Sequence, residues 1–456
     1  MPGPKQRPFS SHRRCRQSLD RDAFRDYVEA LPFFDSHSHM AGFEQGTPVD
    51  DRQALTLPAI LGNDYVAYFA GACADAPFAP SRSLPALPDA AAHLRMILPT
   101  LEACRGLTTY AALREGIREL HGIEGDDITL DNWEATNRSI MKAYRTYGER
   151  AWQRAVIRRA GVCKQVQICS LPYVTRHWPS LPPAERQAQA AILLPSLIID
   201  DYFYAGAMSP RAVRESAEQL WGRAPRSFED HLAFCAKVLD LFRDGGGNSV
   251  KILCAYKRSL RFEAVPADEA KALYTKGPEA LSPAEMGRLQ DALCADILEL
   301  AIARGLPVLV HTGYSTPSDN GNPEHLYSLT QNPRLKGLRI GLCHAGWPDW
   351  PGSLLMARGS RGCYVDFSWT PLLSLDLARH MLGVAVDIVP MNKIMIGTDC
   401  GTAECFYGAA RFVRQALTDV LVEKLERRQF GVDVAQTIAR KILRDNAAEF
   451  FGVSAS

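Results

Sequence analysis

Eight short and almost continuously apolar runs recur along the chain, and segments with helical spacing of their apolar residues lie between them. Because these runs lack the alternation of a half-exposed strand, they predict parallel strands buried on both faces. The runs lie at residues 32–40, 164–170, 190–200, 249–256, 307–313, 339–346, 362–369 and 393–400. This alternation of strands and helices predicts an α/β fold. Eight strands favour a (β/α)8 TIM barrel over a doubly wound open sheet.

The clearest of the intervening helices is predicted from Ser282 to Arg304. Ser282 stands before Pro283, and Glu285 completes a capping box. Gly305 follows the last helical residue and ends the helix. The apolar residues repeat at steps of three and four, as one buried face requires: Met286, Leu289, Leu293, Ile297 and Leu300.

A long segment separates the first run from the second. It contains helix-like stretches at 88–105, 108–121 and 131–160, and Asp131 with Glu134 predicts a capping box for the last one. We interpret about 41–160 as a helical insertion into a single barrel domain of residues 21–456. The loops after the strands build the active site of a barrel, so the insertion is expected to wall that site.

The charge balance and the cysteines indicate which partners the protein binds and in which cellular compartment it works. The 52 basic and 51 acidic residues give a net charge of +1, which predicts no binding to nucleic acid or to an anionic membrane. The twelve cysteines are scattered without a Cys-x-x-Cys pair, so we expect reduced thiols and a cytoplasmic protein. Residues 1–20 are basic and lack the apolar core of a secretion signal, which predicts a disordered leader.

Side chains able to bind a metal fall at the ends of the predicted strands. His37 and His39 close the first run, and residues two apart on a strand share a face. His311 ends the fifth run, His344 the sixth and Asp399 the eighth. A polar loop start is an alternative explanation for the first pair alone. Five such residues at the end where barrels keep their chemistry predict a shared metal site.

Imidazole and carboxylate ligands indicate a divalent metal, with zinc expected and manganese or iron as alternatives, and with one or two ions per chain. On zinc, the pKa of a bound water falls to about 7. Asp399 would then bind the metal, take the proton of that water and return it to the leaving group. His344 would either bind the metal or polarise the substrate.

The motifs "DSHSH", "HTG", "HAG" and "GTD" occur in this order on successive predicted strands. This set resembles the amidohydrolase superfamily. The sequence around "VLVHTGYS" and "GLCHAGWP" is similar to the amidohydrolase-2 type within that superfamily. It is most similar to the branch that is related to barrels fused to glutamine-synthetase-like domains. The resemblance covers residues 300–452 best and the insertion least. It implies that the metal ligands are His37, His39, His311 and Asp399, and that His344 either binds a second metal or faces the substrate. It also implies a homodimer as one possible oligomeric state.

Lys251 lies in the fourth run, where two-metal members of the superfamily often carry a carboxylated, bridging lysine. The alternative is a lysine that extends to solvent or meets an internal carboxylate. Tyr256 and Arg258 follow the same run and are candidates for binding a substrate carboxylate, or else belong to a solvated loop. Trp347 would line the pocket or pack a loop, and Asp366 would orient a histidine.

These observations predict a metal-dependent hydrolase of an amide or other C–N bond in a small, carboxylated substrate. The alternative is a lyase or isomerase, because the resembling family includes non-oxidative decarboxylases and because a long insertion after the first strand is similar to that of uronate isomerases. A non-catalytic binding module is the third hypothesis. The complete set of expected ligands disfavours it.

Overall fold

The structure is a computed structural model that describes residues 20–40, 56–62, 90–173 and 177–454. The leader predicted at residues 1–20 lies almost wholly outside the described residues. All eight predicted strands are present, and each pairs in parallel with the next in chain order. The strands are Phe33–Ser38 (β1), Val162–Cys169 (β2), Leu193–Ile198 (β3), Ser249–Ile252 (β4), Val308–His311 (β5), Ile340–Cys343 (β6), Cys363–Asp366 (β7) and Ile394–Met395 (β8).

Backbone hydrogen bonds between β1 and the segment after β8 bring the two edges of the sheet together. The Ser36 amide donates to the carbonyl of Ile396 at 3.4 Å. The Asp399 amide donates to the carbonyl of His37 at 2.8 Å, and the His39 amide to that of Cys400 at 3.0 Å. The sheet is therefore a nearly closed (β/α)8 barrel, as predicted, and its last contacts form where the metal-binding motifs stand.

Helices surround the sheet. Those longer than one turn are Arg21–Ala30 (α1), Leu57–Gly62 (α2), Ala90–Cys104 (α3), Thr108–His121 (α4), Trp133–Tyr147 (α5), Glu149–Arg159 (α6), Pro183–Ala190 (α7), Pro210–Trp221 (α8), Phe228–Asp244 (α9), Ala267–Lys276 (α10), Pro283–Ala303 (α11), Trp350–Gly359 (α12), Leu375–Ile388 (α13), Ala403–Glu426 (α14), Val432–Arg440 (α15) and Asn446–Phe451 (α16). None of these described helices combines the length and the apolarity needed to cross a membrane.

Helix α11 confirms the prediction made from its caps. The Ser282 side chain accepts from the Glu285 amide while the Glu285 carboxylate accepts from the Ser282 amide, a complete capping box. The crossover between β5 and β6 departs from the simple repeat, because it carries only short helical turns such as Pro323–Leu326. Pro317, Pro323 and Pro333 each stand at the start of one of these short turns.

The segment between β1 and β2 is helical where the structure describes it, but the helix predicted over 131–160 is wrong in two respects. Two helices replace the single predicted one. Gly148, with a φ of 71°, ends α5 and immediately precedes α6. The Asp131–Glu134 capping box is also absent, since α5 follows Asn132 with no side-chain cap. Tyr147, the last residue of α5, is 54% exposed.

The segment predicted as an insertion packs closely, through its described helices, on α14, the helix that follows β8. A Cβ atom added at Gly116 of α4 would lie 1.7 Å from the Glu404 carbonyl oxygen, and one at Gly408 would lie 1.9 Å from that of Ala112. Glycines at both positions therefore let the two helix backbones touch. The buried Glu404 carboxylate adds three hydrogen bonds, accepting from His121, Tyr144 and Trp152 of the insertion at 3.0 Å each.

Candidate metal centre

Three predicted ligands converge at the carboxyl ends of β1 and β8. The Nε2 atoms of His37 and His39 lie 3.1 Å apart. Asp399 Oδ1 lies 3.2 Å from Nε2 of His37 and 3.4 Å from Nε2 of His39. One potential ligand atom from each of the three side chains falls within 4.8 Å of the others. A set of two imidazoles and one carboxylate at this spacing suits a divalent metal.

The local chain conformation explains how these side chains meet. His37 lies in β1 and His39 follows its last residue, so their two-residue spacing directs both rings to one side. Asp399 has a φ of 59°, a left-handed conformation that is strained for a residue with a side chain. Its amide is held by the His37 carbonyl. The strained turn thus aims the Asp399 carboxylate at the histidines of the opposite sheet edge.

Burial sets the protonation of the histidines. Desolvation, followed by the charge of Lys251, lowers the pKa of His37 well below its usual range. The same two causes lower the pKa of His311 to about 4. Burial likewise lowers the pKa of His344, with Asp399 opposing the shift. These imidazoles are therefore neutral at pH 7, which is the form that binds a metal.

His311 and His344 form a second pair beside the first cluster. His344 Nε2 lies 3.0 Å from His311 Nδ1, and the other His311 nitrogen lies 2.8 Å from the Tyr314 carbonyl. His344 Nδ1 lies 3.8 Å from Asp399 Oδ2. The rings of His344 and His37 meet edge to face, with centroids 5.5 Å apart. The structure therefore places all four predicted histidines and Asp399 in one connected group.

Lys251 is fully buried in β4, and the Cys343 thiol lies between it and this group. Its ammonium donates to the Cys343 thiol at 3.0 Å, and that sulfur lies 4.0 Å from Nδ1 of His37. Burial raises the pKa of Cys343 to about 12, so the thiol stays protonated at neutral pH. The solvent-exposed alternative for Lys251 is thus wrong, while its carboxylation stays a prediction.

Asp366, a buried aspartate at the end of β7, supports the strands that carry the candidate ligands. Asp366 Oδ1 accepts from the Ser36 hydroxyl at 2.8 Å and from the Ser368 amide at 3.0 Å. It reaches a histidine through Ser368, whose hydroxyl lies 3.3 Å from His344 Nδ1. Asp366 Oδ2 is buried with no hydrogen-bond partner in the described chain. An unpaired buried carboxylate oxygen beside the histidines is consistent with a cation at this site.

Asp35 is a functional neighbour that sequence reasoning missed. Its carboxylate accepts from the amide and hydroxyl of Thr398 at 2.7 and 2.8 Å, and from Gln165 at 3.0 Å. Burial raises the pKa of Asp35 to about 7. The signal was its place in "DSHSH", two residues before His37. Asp35 ties the ligand-bearing ends of β1 and β8 together.

The three predicted substrate-binding residues separate into two groups. Tyr256 and Trp347 lie at the mouth, where the Tyr256 ring is 4.4 Å from that of His311. The prediction for Arg258 needs correction. All five of its N–H groups are directed at protein acceptors, namely the Ser259, Gly287 and Arg261 carbonyls, Gln290 and the Asp291 carboxylate. None is left for a substrate carboxylate.

Comparison with known proteins places this site in context. Residues 263–453 match the profile of a family described as amidohydrolase. That range contains His311, His344 and Asp399, whereas the histidine pair of β1 precedes it. None of the curated proteins matches the sequence.

Solved structures resemble the chain over nearly its whole length. Uronate isomerase from Thermotoga maritima superimposes with a TM-score of 0.73 at 16% identity, covering 94% of this chain and 97% of that one. Glucuronate isomerase from Caulobacter crescentus gives 0.66 at 14% identity, with coverages of 95% and 93%. A Lactobacillus casei protein provisionally named a metal-dependent hydrolase gives 0.63 at 16% identity, with coverages of 94% and 97%. The expected resemblance to the amidohydrolase family is thus confirmed by sequence over residues 263–453, and the solved structures confirm the barrel fold.

Proposed function

We propose that this protein is a metal-dependent hydrolase that cleaves an amide or other C–N bond in a small, carboxylated substrate. One observation carries the proposal. Asp399 Oδ1 lies 3.2 and 3.4 Å from the Nε2 atoms of His37 and His39, so one buried carboxylate is both a potential metal ligand and a proton acceptor at the carboxyl end of the barrel strands. His311 and His344 complete the group that would hold one or two ions.

A divalent ion bound there would polarise a substrate carbonyl and acidify a water molecule. Asp399 takes the proton of the attacking water, whose oxygen forms a bond to the carbonyl carbon. The C–N bond then breaks, and Asp399 returns the proton to the departing nitrogen. His344, held by the Ser368 carbonyl and hydroxyl at 3.3 Å, orients the carbonyl oxygen.

The second candidate is an isomerase that acts on uronates. The match to structures named uronate or glucuronate isomerase spans 94% to 96% of this chain and 93% to 98% of those chains. In that reaction Asp399 would move a proton between neighbouring carbon atoms, and no water would enter the product. Non-oxidative decarboxylation is the further alternative predicted from the sequence.

A screen in water enriched in oxygen-18 separates the candidates. The zinc-, manganese- or iron-loaded protein is incubated with panels of N-acyl amino acids, cyclic amides, aromatic acids and uronates, and the products are weighed by mass spectrometry. Hydrolysis predicts one heavy oxygen in the product acid. A product isomeric with a uronate supports the second candidate, and release of CO2 without a hydrolysis product contradicts the leading one.

A further inference from the structure

Four aromatic side chains lie along one half of the mouth of the barrel, one from the loop after each of four consecutive strands. Tyr256 follows β4, Tyr314 follows β5, Trp347 follows β6 and Trp369 follows β7. We call these four residues the aromatic rim. Successive loops of a barrel converge on the space above its strand ends, so the rim borders the route to the histidines.

The rim touches the metal-site histidines from two sides. The ring centroids of Tyr256 and His311 lie 4.4 Å apart at an interplanar angle of 37°. On the other side, the Trp369 ring meets the His344 ring edge to face at 5.8 Å. Aromatic rings of the rim therefore lie against both histidines of the second pair.

Three members of the rim also form a continuous surface. Tyr314 stacks on Trp347 at 6.3 Å with an angle of 21°, and it lies 6.0 Å from Trp369. Trp347 and Trp369 meet at 72°, with centroids 6.1 Å apart. Yet Tyr256 and Tyr314 are each 53% exposed. Large aromatic faces left open beside buried polar residues are typical of a ligand-binding wall.

The backbone places the rim at an energetic cost. Trp369 has a φ of 66°, in the left-handed region that bulky residues avoid. His344 and Asp399, at 62° and 59°, share this conformation at the ends of the neighbouring strands. Strain of this kind persists where the surrounding structure enforces a particular side-chain position. Trp369 is therefore held over the mouth in the same way as two of the catalytic candidates.

We propose that the aromatic rim makes the enzyme selective for carboxylates that carry a planar, unsaturated ring, with Trp369 and Tyr314 as the residues that determine this specificity. The inference rests on the proposed function, because the carboxylate of such a substrate is taken to approach the metal site. A planar ring can stack on the rim or meet it edge to face, whereas a saturated ring or an open chain offers no π face.

Titration of the cobalt-loaded, full-length protein with benzoate, cyclohexanecarboxylate and hexanoate tests the proposal. Binding is followed both by the visible spectrum of the cobalt and by tryptophan fluorescence. We expect benzoate to bind about tenfold more tightly than the other two acids, given the added interaction of paired aromatic rings. Trp369→Leu and Tyr314→Leu should reduce that ratio toward one. Trp221→Leu, which removes a ring packed on Arg223 rather than on the rim, should preserve it.

Equal affinities of the three acids for the wild type would overturn the proposal. So would a benzoate preference that survives both rim substitutions in folded protein. A cobalt spectrum that no acid changes would instead count against carboxylate binding at the metal. In that case the fluorescence titration, with the same three acids and variants, still decides whether the rim selects planar rings.

Discussion

Asp399 Oδ1 lies 3.2 Å from Nε2 of His37, a contact that joins the first and last strands of the barrel. Asp399→Asn removes the negative charge and the proton acceptor with little change of shape. Turnover of the substrate found by the screen should fall by at least about 10²-fold at saturating metal, as for the loss of a general base. Asp376→Asn, at an exposed position paired with Arg379, is the matched control. Wild-type turnover in the Asp399 variant would rule out its role in proton transfer.

The close approach of α4 to α14 predicts opposite outcomes for two glycines inside helices. Gly408→Ala puts a methyl group against the Ala112 carbonyl and should destabilise the protein by several kcal/mol, as overpacking does. Gly287→Ala, in α11 with nothing within 4 Å of the added carbon, should be neutral or stabilising by about 0.5–1 kcal/mol. Urea unfolding of both variants measures the difference. Equal stabilities would show that the helices do not touch.

Glu404 is expected to hold the insertion on the barrel. In Glu404→Gln one amide oxygen replaces two carboxylate oxygens that accept from His121, Tyr144 and Trp152, so a buried donor loses its partner. The free energy of unfolding should fall by about 1–3 kcal/mol. Hydrogen exchange should rise in α4 to α6 before it rises in the strands. Glu423→Gln, at an exposed site on the same helix paired with Arg427, should change stability by less than about 0.5 kcal/mol. Unchanged exchange in the insertion would contradict the anchoring role.

The buried Asp200 predicts a pH dependence of stability. Burial raises its pKa to about 7, so the folded protein keeps a proton that the unfolded chain releases near pH 4. Wild type therefore loses stability from this group as the pH rises between these two values, and no further loss occurs above pH 7. The free energy of unfolding of Asp200→Asn, relative to that of the wild type, should rise by about 1.4 kcal/mol for each pH unit within that window. Unfolding at pH 4, 5, 6, 7 and 8 measures the gain, and a pH-independent difference would contradict it.

The barrel could be predicted from the sequence because parallel, doubly buried strands leave an almost continuous apolar signal. The grouping of the candidate ligands could be predicted because His311 and His344 stand where such runs end. The break at Gly148 was missed since the helical periodicity continues across it, and only its φ of 71° reveals the end of α5. Tertiary geometry, rather than local pattern, decides that point.

Hydrogen-bond partners that are distant in sequence could not be predicted either. Arg258 follows β4 as a substrate-binding arginine would, but its guanidinium is held by Asp291, which lies on α11. Asp35 was missed because its partners are distant in sequence, although Gln165 on β2 and Thr398 after β8 lie beside β1 in the barrel. The sequence identifies side chains by type and strand position, whereas their hydrogen bonds depend on which neighbours the closed barrel supplies.

A Lys251 variant tests whether the site holds one metal ion or two. If it is carboxylated and bridges two metals, Lys251→Ala should lower the metal content from about two ions per chain to one or fewer. A content of about one in both proteins would instead leave Lys251 as the donor to Cys343 that the structure shows. Such a result would also leave His344 to the substrate and strengthen the decarboxylase alternative.

The central claim, that His37, His39 and Asp399 hold a divalent metal, is tested most directly by elemental analysis of purified protein without added metal. The wild type should contain about one or two ions per chain. The double variant His37→Ala, His39→Ala should retain less than about a tenth of that amount, as expected when two ligands are lost. His380→Ala, which removes a histidine packed on Trp350, should keep the full content. A folded double variant with the wild-type metal content would contradict the account.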